Sequence, residues 1–368
     1  MECEKIIKII EDWAPKEIAW EKDNVGLQVG SLQREVKNVL LCLDVDDKVV
    51  AEAVKKKCNL IISHHPLLFR ALKKIDVSKD KISKIVERLI KENITLYSAH
   101  TNLDFTKEGV SFQLANKLKL KNQKFLLNQS SNLSKLVVFV PDTHVEKVAD
   151  AIHSAGAGVI GEYSNCSFRV LGTGTFKGSD KSNPVIGTKG KIEKVDEARL
   201  EVLVNTFNLS KVIAGMKKVH PYEEVAFDIY PVANENSEFG IGVMGELESE
   251  LSERDFLNHI SKSLKIKNFR YTKGSKSRIK KVAVCGGSCS DLLSMAVSKK
   301  ADAFVTADIK YHTFQDAENQ ILLIDSGHYE TEIHSLDQIK KRIEISLQDK
   351  IKVFKYSGST NPIVFYNN

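Results

Sequence analysis

Short, unbroken apolar runs alternate with segments of helical periodicity in two separate stretches of this 368-residue chain. The first stretch holds VLLCLDV at 39–45, NLIIS at 59–63 and ITLYSA at 94–99; the second holds VAVC at 282–285, AFVT at 303–306 and ILLID at 321–325. A strand buried on both faces is apolar throughout, whereas a strand wetted on one face alternates. The runs therefore predict parallel strands with helices packed on both sides. The intervening segments supply those helices: KISKIVERLIK at 81–91 puts Ile82, Ile85, Val86, Leu89 and Ile90 at helical spacing. Further helices are predicted over 48–57, 291–299 and 331–347, with terminal strands around Val353 and Val364.

Between the two stretches the texture changes. An Asn/Gln/Ser-rich segment, NQKFLLNQSSNLS, leads into apolar-polar alternation (SFRVLGTGTFKG, ARLEVLVN), Gly-rich turns and helices over 143–155 and 210–219. That pattern predicts an α+β body with a largely antiparallel sheet. A chain of this length exceeds what one core usually organises. The expected fold is an α/β domain with a parallel or mixed sheet, discontinuous over 1–124 and 270–368 and interrupted by an α+β domain with its linkers over 125–269.

Composition narrows the function classes. Hydrophobic residues make up 42% and charged residues 28%, near the globular average and far from fibrous or disordered chains. The formal charge of +6 comes from 54 basic against 48 acidic residues, with lysines in short scattered clusters such as Lys55, Lys56 and Lys57. A mildly basic surface is expected, without a nucleic-acid stripe. No apolar stretch has membrane-spanning length, and the opening MECEKIIKIIEDWAP mixes charge among its apolar residues, unlike a signal peptide. A cytoplasmic protein with no membrane partner is expected. Cys3, Cys42, Cys58, Cys166, Cys285 and Cys289 are scattered without CxxC spacing, so reduced thiols are expected.

In parallel α/β sheets ligands collect outside the carboxyl ends of the strands, where loops and helix N-termini converge. Here the predicted strands end in Ser63-His64-His65-Pro66, in His100 to Asp104, in Asp308-Ile309-Lys310-Tyr311-His312 and in Asp325 to Glu332. One histidine in a loop signifies little, but histidines at four strand ends point to a metal. Mixed imidazole and carboxylate donors suit zinc, iron, manganese or nickel, and the lack of matched thiols argues against a closed structural zinc site. His64 and His65, adjacent at a strand end, are easier to reconcile with two ions than with one. His328 and Glu332 share one helix face, with Glu330 turned to solvent. Glu332 is the expected bridging carboxylate, Asp104 a ligand, and His100 a ligand or proton carrier. Gly286-Gly287 is read as a tight turn in preference to a phosphate cradle. His220, with Glu223 and Glu224 close by, lacks further ligands and is read as structural.

Taken together, DNVGLQVG at 23–30, ISHHPLLF at 62–69, SAHTNLD at 98–104, TADIKYH at 306–312 and DSGHYETE at 325–332 resemble the Nif-three-like dinuclear metal-centre proteins, often labelled GTP cyclohydrolase I type 2 homologues. The resemblance spans essentially the whole chain, since FRVLGTGTFKG at 168–178 and HPYEEVAFDIYP at 220–231 are similar to the family's optional middle domain. It implies a hexameric toroid, two divalent ions (zinc, iron or manganese) per subunit, and an insert like the ferredoxin-like PII and CutA proteins. It assigns His65, Asp104 and Glu332 to one ion, and His64, His328 and the bridging Glu332 to the other. His100 and His312 become candidate proton shuttles, and Asp308 and Lys310 candidates for the substrate side or for supporting the ligands.

The leading functional expectation is a metal-dependent hydrolase. Two ions about 3.5 Å apart polarise an electrophile and make hydroxide available near neutral pH. The family label suggests a small-molecule substrate such as GTP. Phosphoester or nucleotide hydrolysis is an alternative, and a non-catalytic metal-binding ring that acts as scaffold or regulator is another.

Overall fold

The computed structural model describes residues 1–183 and 185–366. The chain begins with α1 (Cys3–Trp13), β1 (Gly26–Val29), β2 (Asn38–Cys42), α2 (Asp47–Lys55), β3 (Leu60–Ser63), α3 (Lys81–Lys91), β4 (Thr95–Ser98), α4 (Thr101–Asp104), α5 (Val110–Lys117) and β5 (Lys121–Asn128). Next come β6 (Leu133–Pro141), α6 (Val145–Ser154), β7 (Ser167–Lys177), β8 (Ile192–Asn205), α7 (Leu209–Val219) and β9 (Phe227–Val232). The remainder is β10 (Gly240–Ser252), α8 (Glu253–Leu264), β11 (Arg270–Thr272), β12 (Arg278–Val284), α9 (Leu293–Ser298), β13 (Ala303–Thr306), α10 (Tyr311–Ala317), β14 (Leu322–Asp325), α11 (His328–Glu332), α12 (Ser335–Leu347) and β15 (Lys352–Lys355). Side-chain caps start several helices: Asp46 accepts from Val49 N at 2.8 Å and Asp80 from Ser83 N at 2.6 Å, each satisfying an orphan N–H of the first turn.

Two compact units result, one formed by Met1–Leu127 with Phe239–Asn368 and the other by Asn128–Glu238. The first unit contains two mixed sheets. One has the order β1-β4-β3-β2-β15, with β4, β3, β2 and β15 parallel and β1 antiparallel at the edge. The other has the order β11-β14-β13-β12-β10-β5, with a parallel centre of β14, β13 and β12. The two halves of the sequence thus exchange strands: the last strand returns to the first sheet, and β5 joins the second.

Both sheets are covered on both faces, as the unbroken apolar runs require. Val39 and Leu41 pack with Ile6 and Ile10 of α1 and Ile339 and Ile343 of α12, while Leu40 and Cys42 face Val49 of α2 and Ile85 and Leu89 of α3. In the second sheet Val282 and Val284 meet Phe256 and Ile260 of α8, and Ala283 and Phe304 meet Leu293 and Ala296 around α9. Each fully buried Val, Leu, Ile or Phe among them contributes roughly 1.5–3 kcal/mol of apolar transfer, so the strand ends project from a rigid base.

The second unit is a four-stranded antiparallel sheet, order β7-β8-β6-β9, with α6 and α7 packed on one face through Val148, Ile152, Val212 and Met216. Its boundaries differ from the expected 125–269. β10 and α8 belong to the first unit, where β10 pairs antiparallel with β12. The sequence misleads there because β10 is buried over its first half but exposed around Glu248–Glu250, and the acidic stretch reads as linker. Among the described residues no strand forms around Val364, which is 90% exposed. All six cysteines are free.

Candidate metal centre

The backbone of β3 keeps its pairing beyond Ser63: His64 N donates to Cys42 O at 3.1 Å and His65 N to Leu43 O at 2.9 Å. Both imidazoles are therefore fixed by the sheet, with ring centroids 4.9 Å apart. His64 is fully buried. Asp104 ends the short helix α4, reached from β4 through His100. Beyond β14, Gly327 takes φ 88°, and α11 then carries His328 and Glu332 on one face. His328 Nε2 lies 3.1 Å from Glu332 Oε1.

Each imidazole is anchored through Nδ1. His64 Nδ1 donates to Ala99 O at 2.8 Å, His65 Nδ1 to Asp44 Oδ1 at 2.8 Å, His328 Nδ1 to Asp308 Oδ2 at 2.6 Å and His100 Nδ1 to both Asp23 oxygens at 2.9 Å. An Nδ1 facing an acceptor carries the proton, which leaves Nε2 with its lone pair turned inward. This is the arrangement that orients histidine ligands around metals. The inward atoms then converge. His65 Nε2 is 3.1 Å from Glu332 Oε2 and 3.3 Å from His328 Nε2, while His64 Nε2 is 3.6 Å from Asp104 Oδ1 and 3.7 Å from Glu332 Oε1. Two lone pairs 3.3 Å apart repel unless a proton or a cation lies between them.

With the imidazoles neutral, three of these inward atoms, His64 Nε2, Asp104 Oδ1 and Glu332 Oε2, are buried without a hydrogen-bond partner, since the His65 Nε2 that faces Glu332 Oε2 then carries no proton. An orphaned buried polar atom costs ~1–3 kcal/mol, so a cation that satisfied all three would be favoured there. The donor set can hold a metal ion: His65, His328 and Glu332 form one potential ligand group and His64, His65 and His100 another. Without a metal, protons take the cation's place. Burial alone would lower the His65 imidazole, but its hydrogen bonds to Asp44 and Glu332 and their charges outweigh burial and hold it up to about 10. His328 is likewise held up to about 9 by Glu332 and Asp308 against the effect of burial. Burial pushes Asp104 up to about 7, with Glu332 adding and His64 opposing. Burial also opposes ionisation of Glu332, but the three imidazoles hold it well below the usual carboxylate range.

Glu332 Oε1 faces both His64 and His328 and its Oε2 faces His65, while the remaining contacts set His64 beside Asp104 and His65 beside His328. Asp308 stands behind His328 as its anchor, in an αL conformation (φ 55°) that Asp tolerates better than most residues. Lys310 is exposed, and His312 bonds Gln315 at 3.0 Å on an exposed face; neither belongs to the potential ligand groups. Glu330 is not turned to solvent, since it accepts from Asn361 Nδ2 at 2.8 Å and ties down the C-terminal segment. Gly286 and Gly287 do form a tight turn. Their N–H groups are committed to the Ser111 and Thr331 hydroxyls, which leaves none to cradle a phosphate. A Cβ at Gly287 would drive into Glu332 Oε1 and come within 3.4 Å of His328 Nε2. His220 is structural too, its Nε2 donating to Phe139 O at 3.0 Å.

Sequence reasoning missed Asp44 and Asp23 as anchors. Asp44 was legible as the single acid inside an apolar strand run, whereas Asp23 lies in a loop ahead of β1 and has no periodic signal.

A model of the family Duf34/NIF3 (NGG1p interacting factor 3) matches residues 1–362. The protein "GTP cyclohydrolase 1 type 2 homolog" of Halalkalibacterium halodurans is 39% identical over 365 residues, covering 98% of each chain. Its Bacillus subtilis namesake is 39% identical over 367 residues, with 98% of each covered. Among solved structures, a Bacillus cereus protein related to NIF3 is 37% identical, with a TM-score of 0.86 over 100% of this chain and 99% of that one.

Proposed function

Because the chain belongs to the Duf34/NIF3 family, we propose that it is a metal-dependent hydrolase with two divalent ions, zinc, iron or manganese, in the histidine–carboxylate cluster. His64, Asp104 and Glu332 hold one ion, and His65, His328 and Glu332 hold the other. The observation that carries the reading is the trio of buried, unpartnered atoms His64 Nε2, Asp104 Oδ1 and Glu332 Oε2. When bound, such ions polarise an electrophile and acidify water.

The protein's own groups do the rest. Asp44 and Asp308 keep the His65 and His328 lone pairs aimed inward. Asp23, held by the Thr101 hydroxyl and N–H, fixes His100 so that its Nε2 faces the cluster, where it moves a proton. A cavity of about 210 Å³ beside His328, lined in part by Phe269, Arg270, Asn361 and Phe365, supports a small-molecule substrate. The relatives' name supports a nucleotide. Two further readings go with this one. The insert is ferredoxin-like, supported by its β-α-β-β-α-β order and antiparallel sheet. The chain assembles as a hexamer, supported by the exposed Ile363, Val364, Phe365 and Tyr366.

The test is metal analysis of the purified protein, followed by a hydrolysis screen with GTP, other nucleotides and phosphodiesters against Glu332→Gln and His65→Ala. Expected are about two ions per chain in the parent, loss of metal in both variants, and turnover only in the loaded parent. Wild-type metal content in both variants would refute the ligand assignment. Two ions without turnover of any substrate would refute the hydrolase. Sedimentation equilibrium checks the hexamer.

A further inference from the structure

The second unit contains a cavity of about 410 Å³ that involves none of the metal-centre residues. Small-molecule sites span ~300–1,000 Å³ and pair apolar walls with a few placed polar groups, and this cavity has both. Phe139, Phe176, Tyr222 and Ile186 line it, and Phe176 and Tyr222 meet edge-on with centroids 5.8 Å apart. On β8, between Gly172 on one neighbouring strand and Pro141 on the other, sits Glu197, a carboxylate only 8% exposed.

Glu197 is half satisfied. Tyr222 Oη donates to its Oε1 at 2.7 Å, and burial beside this carboxylate raises the phenol well above its usual range, which keeps it a donor. Oε2 lies over Gly174, where any Cβ would collide with it, and among the described residues it accepts no hydrogen bond. A glycine at 174 thus makes room for a carboxylate oxygen that no protein group completes. This oxygen is not fully enclosed: it opens onto the cavity, from which a partner can reach it.

The chemistry of the lining selects that partner. Glu197, Glu223 and Glu224 outweigh Lys177, which excludes phosphates and carboxylates as preferred ligands. A bare metal ion needs several converging donors, and aromatic rings do not supply them. A charged nitrogen on an apolar or flat body satisfies both parts of the site: the body lies against the rings and the nitrogen pairs with the carboxylate. We infer that the inserted unit binds a small organic cation, an amine, amidinium or guanidinium on an apolar or aromatic body, through Glu197 Oε2 and the Phe139–Phe176–Tyr222 wall. This site is independent of the metal centre, and neither reading depends on the other.

Isothermal titration of the full-length protein with benzamidine, and with its neutral near-isostere benzamide, tests the inference. Expected is one benzamidine per chain, bound at least ~10-fold more tightly than benzamide, the minimum for a charge-assisted pair with a buried carboxylate. Glu197→Gln should abolish that preference, and Phe176→Ala should weaken both ligands by a similar factor. Equal binding of the two ligands by the parent, or a preference that survives in Glu197→Gln, would overturn the inference. So would benzamidine affinity unchanged in Phe176→Ala, a readout that stands even where Glu197→Gln fails to fold.

Discussion

Gly287→Ala separates a glycine needed for its backbone from one needed for the space it leaves. Gly287 has φ +67°, a left-handed conformation that costs an L-residue ~1–2 kcal/mol. That much is a fold penalty and says nothing of the site. The added Cβ also intrudes on Glu332 Oε1 and sits 3.4 Å from His328 Nε2. An exposed glutamate would swing aside, but Glu332 is 3% exposed and packed among His64, His65 and His328, so the carboxylate can move only by leaving its place between them. Disturbing the groups that orient metal ligands typically costs ~10–100-fold in affinity, and displacing a carboxylate ligand costs at least that. Gly161→Ala is the control, with a similar φ of +58° and nothing within 4 Å of the new Cβ. Denaturant melts of the metal-free proteins should show ~1–2 kcal/mol lost in Gly161→Ala and a larger loss in Gly287→Ala, where the displaced Glu332 also leaves its imidazoles. Chelator competition should show weaker metal binding in Gly287→Ala alone. A folded Gly287→Ala protein that binds metal within about twofold of the parent would refute the packing argument, since such a change corresponds to only ~0.4 kcal/mol.

Metal-free and metal-loaded protein should respond to pH in opposite directions. A histidine whose pKa is raised on folding stabilises the fold fully below its unfolded value and loses that contribution as pH rises through the folded one, about 10 for His65 and about 9 for His328. Asp104, raised to about 7, acts with the same sign at lower pH. Thermal melts of chelated protein should therefore fall from neutral pH towards pH 10, whereas the loaded protein should lose metal and stability as pH drops, because its ligands must be deprotonated. The same protons should appear on metal uptake at pH 7.5, about two per chain from His65 and His328, read by calorimetry in buffers of different ionisation enthalpy; no release would contradict the anchored geometry. Asp44→Asn and Asp308→Asn should each weaken metal binding ~10–100-fold while the fold stays intact, with unchanged affinity in both ruling out the anchoring role. His312→Ala should leave metal content at the parent level by elemental analysis, since its imidazole is bonded to Gln315.

Fold class was legible where burial leaves a compositional trace. VLLCLDV and NLIIS are apolar throughout because β2 and β3 are covered on both faces. The exchange of β15 and β5 between the two sheets was not legible, because strand order is decided by pairing partners far apart in the chain and pattern is blind to them. Nor was the end of the insert. β10 carries GELESELS, whose glutamates are solvated on a strand that outruns its sheet's cover, and solvation there looks the same as a linker.

The donor cluster was legible because the carboxyl ends of parallel strands are where a chain of this rhythm gathers polar side chains, and His64, His65, Asp104, His328 and Glu332 all fall there. The pairing of donors was not, because it depends on directions that spacing cannot supply. His64 and His65 are neighbours in sequence, yet their Nε2 atoms reach Asp104 and His328 respectively, since each ring is turned by the acceptor behind it: the Ala99 carbonyl for one and Asp44 for the other. Donor identity is therefore written in the strand-end motifs and donor direction in the residues one layer out. A substitution at Asp44 or Asp308 can then disable the centre while every donor residue remains in place.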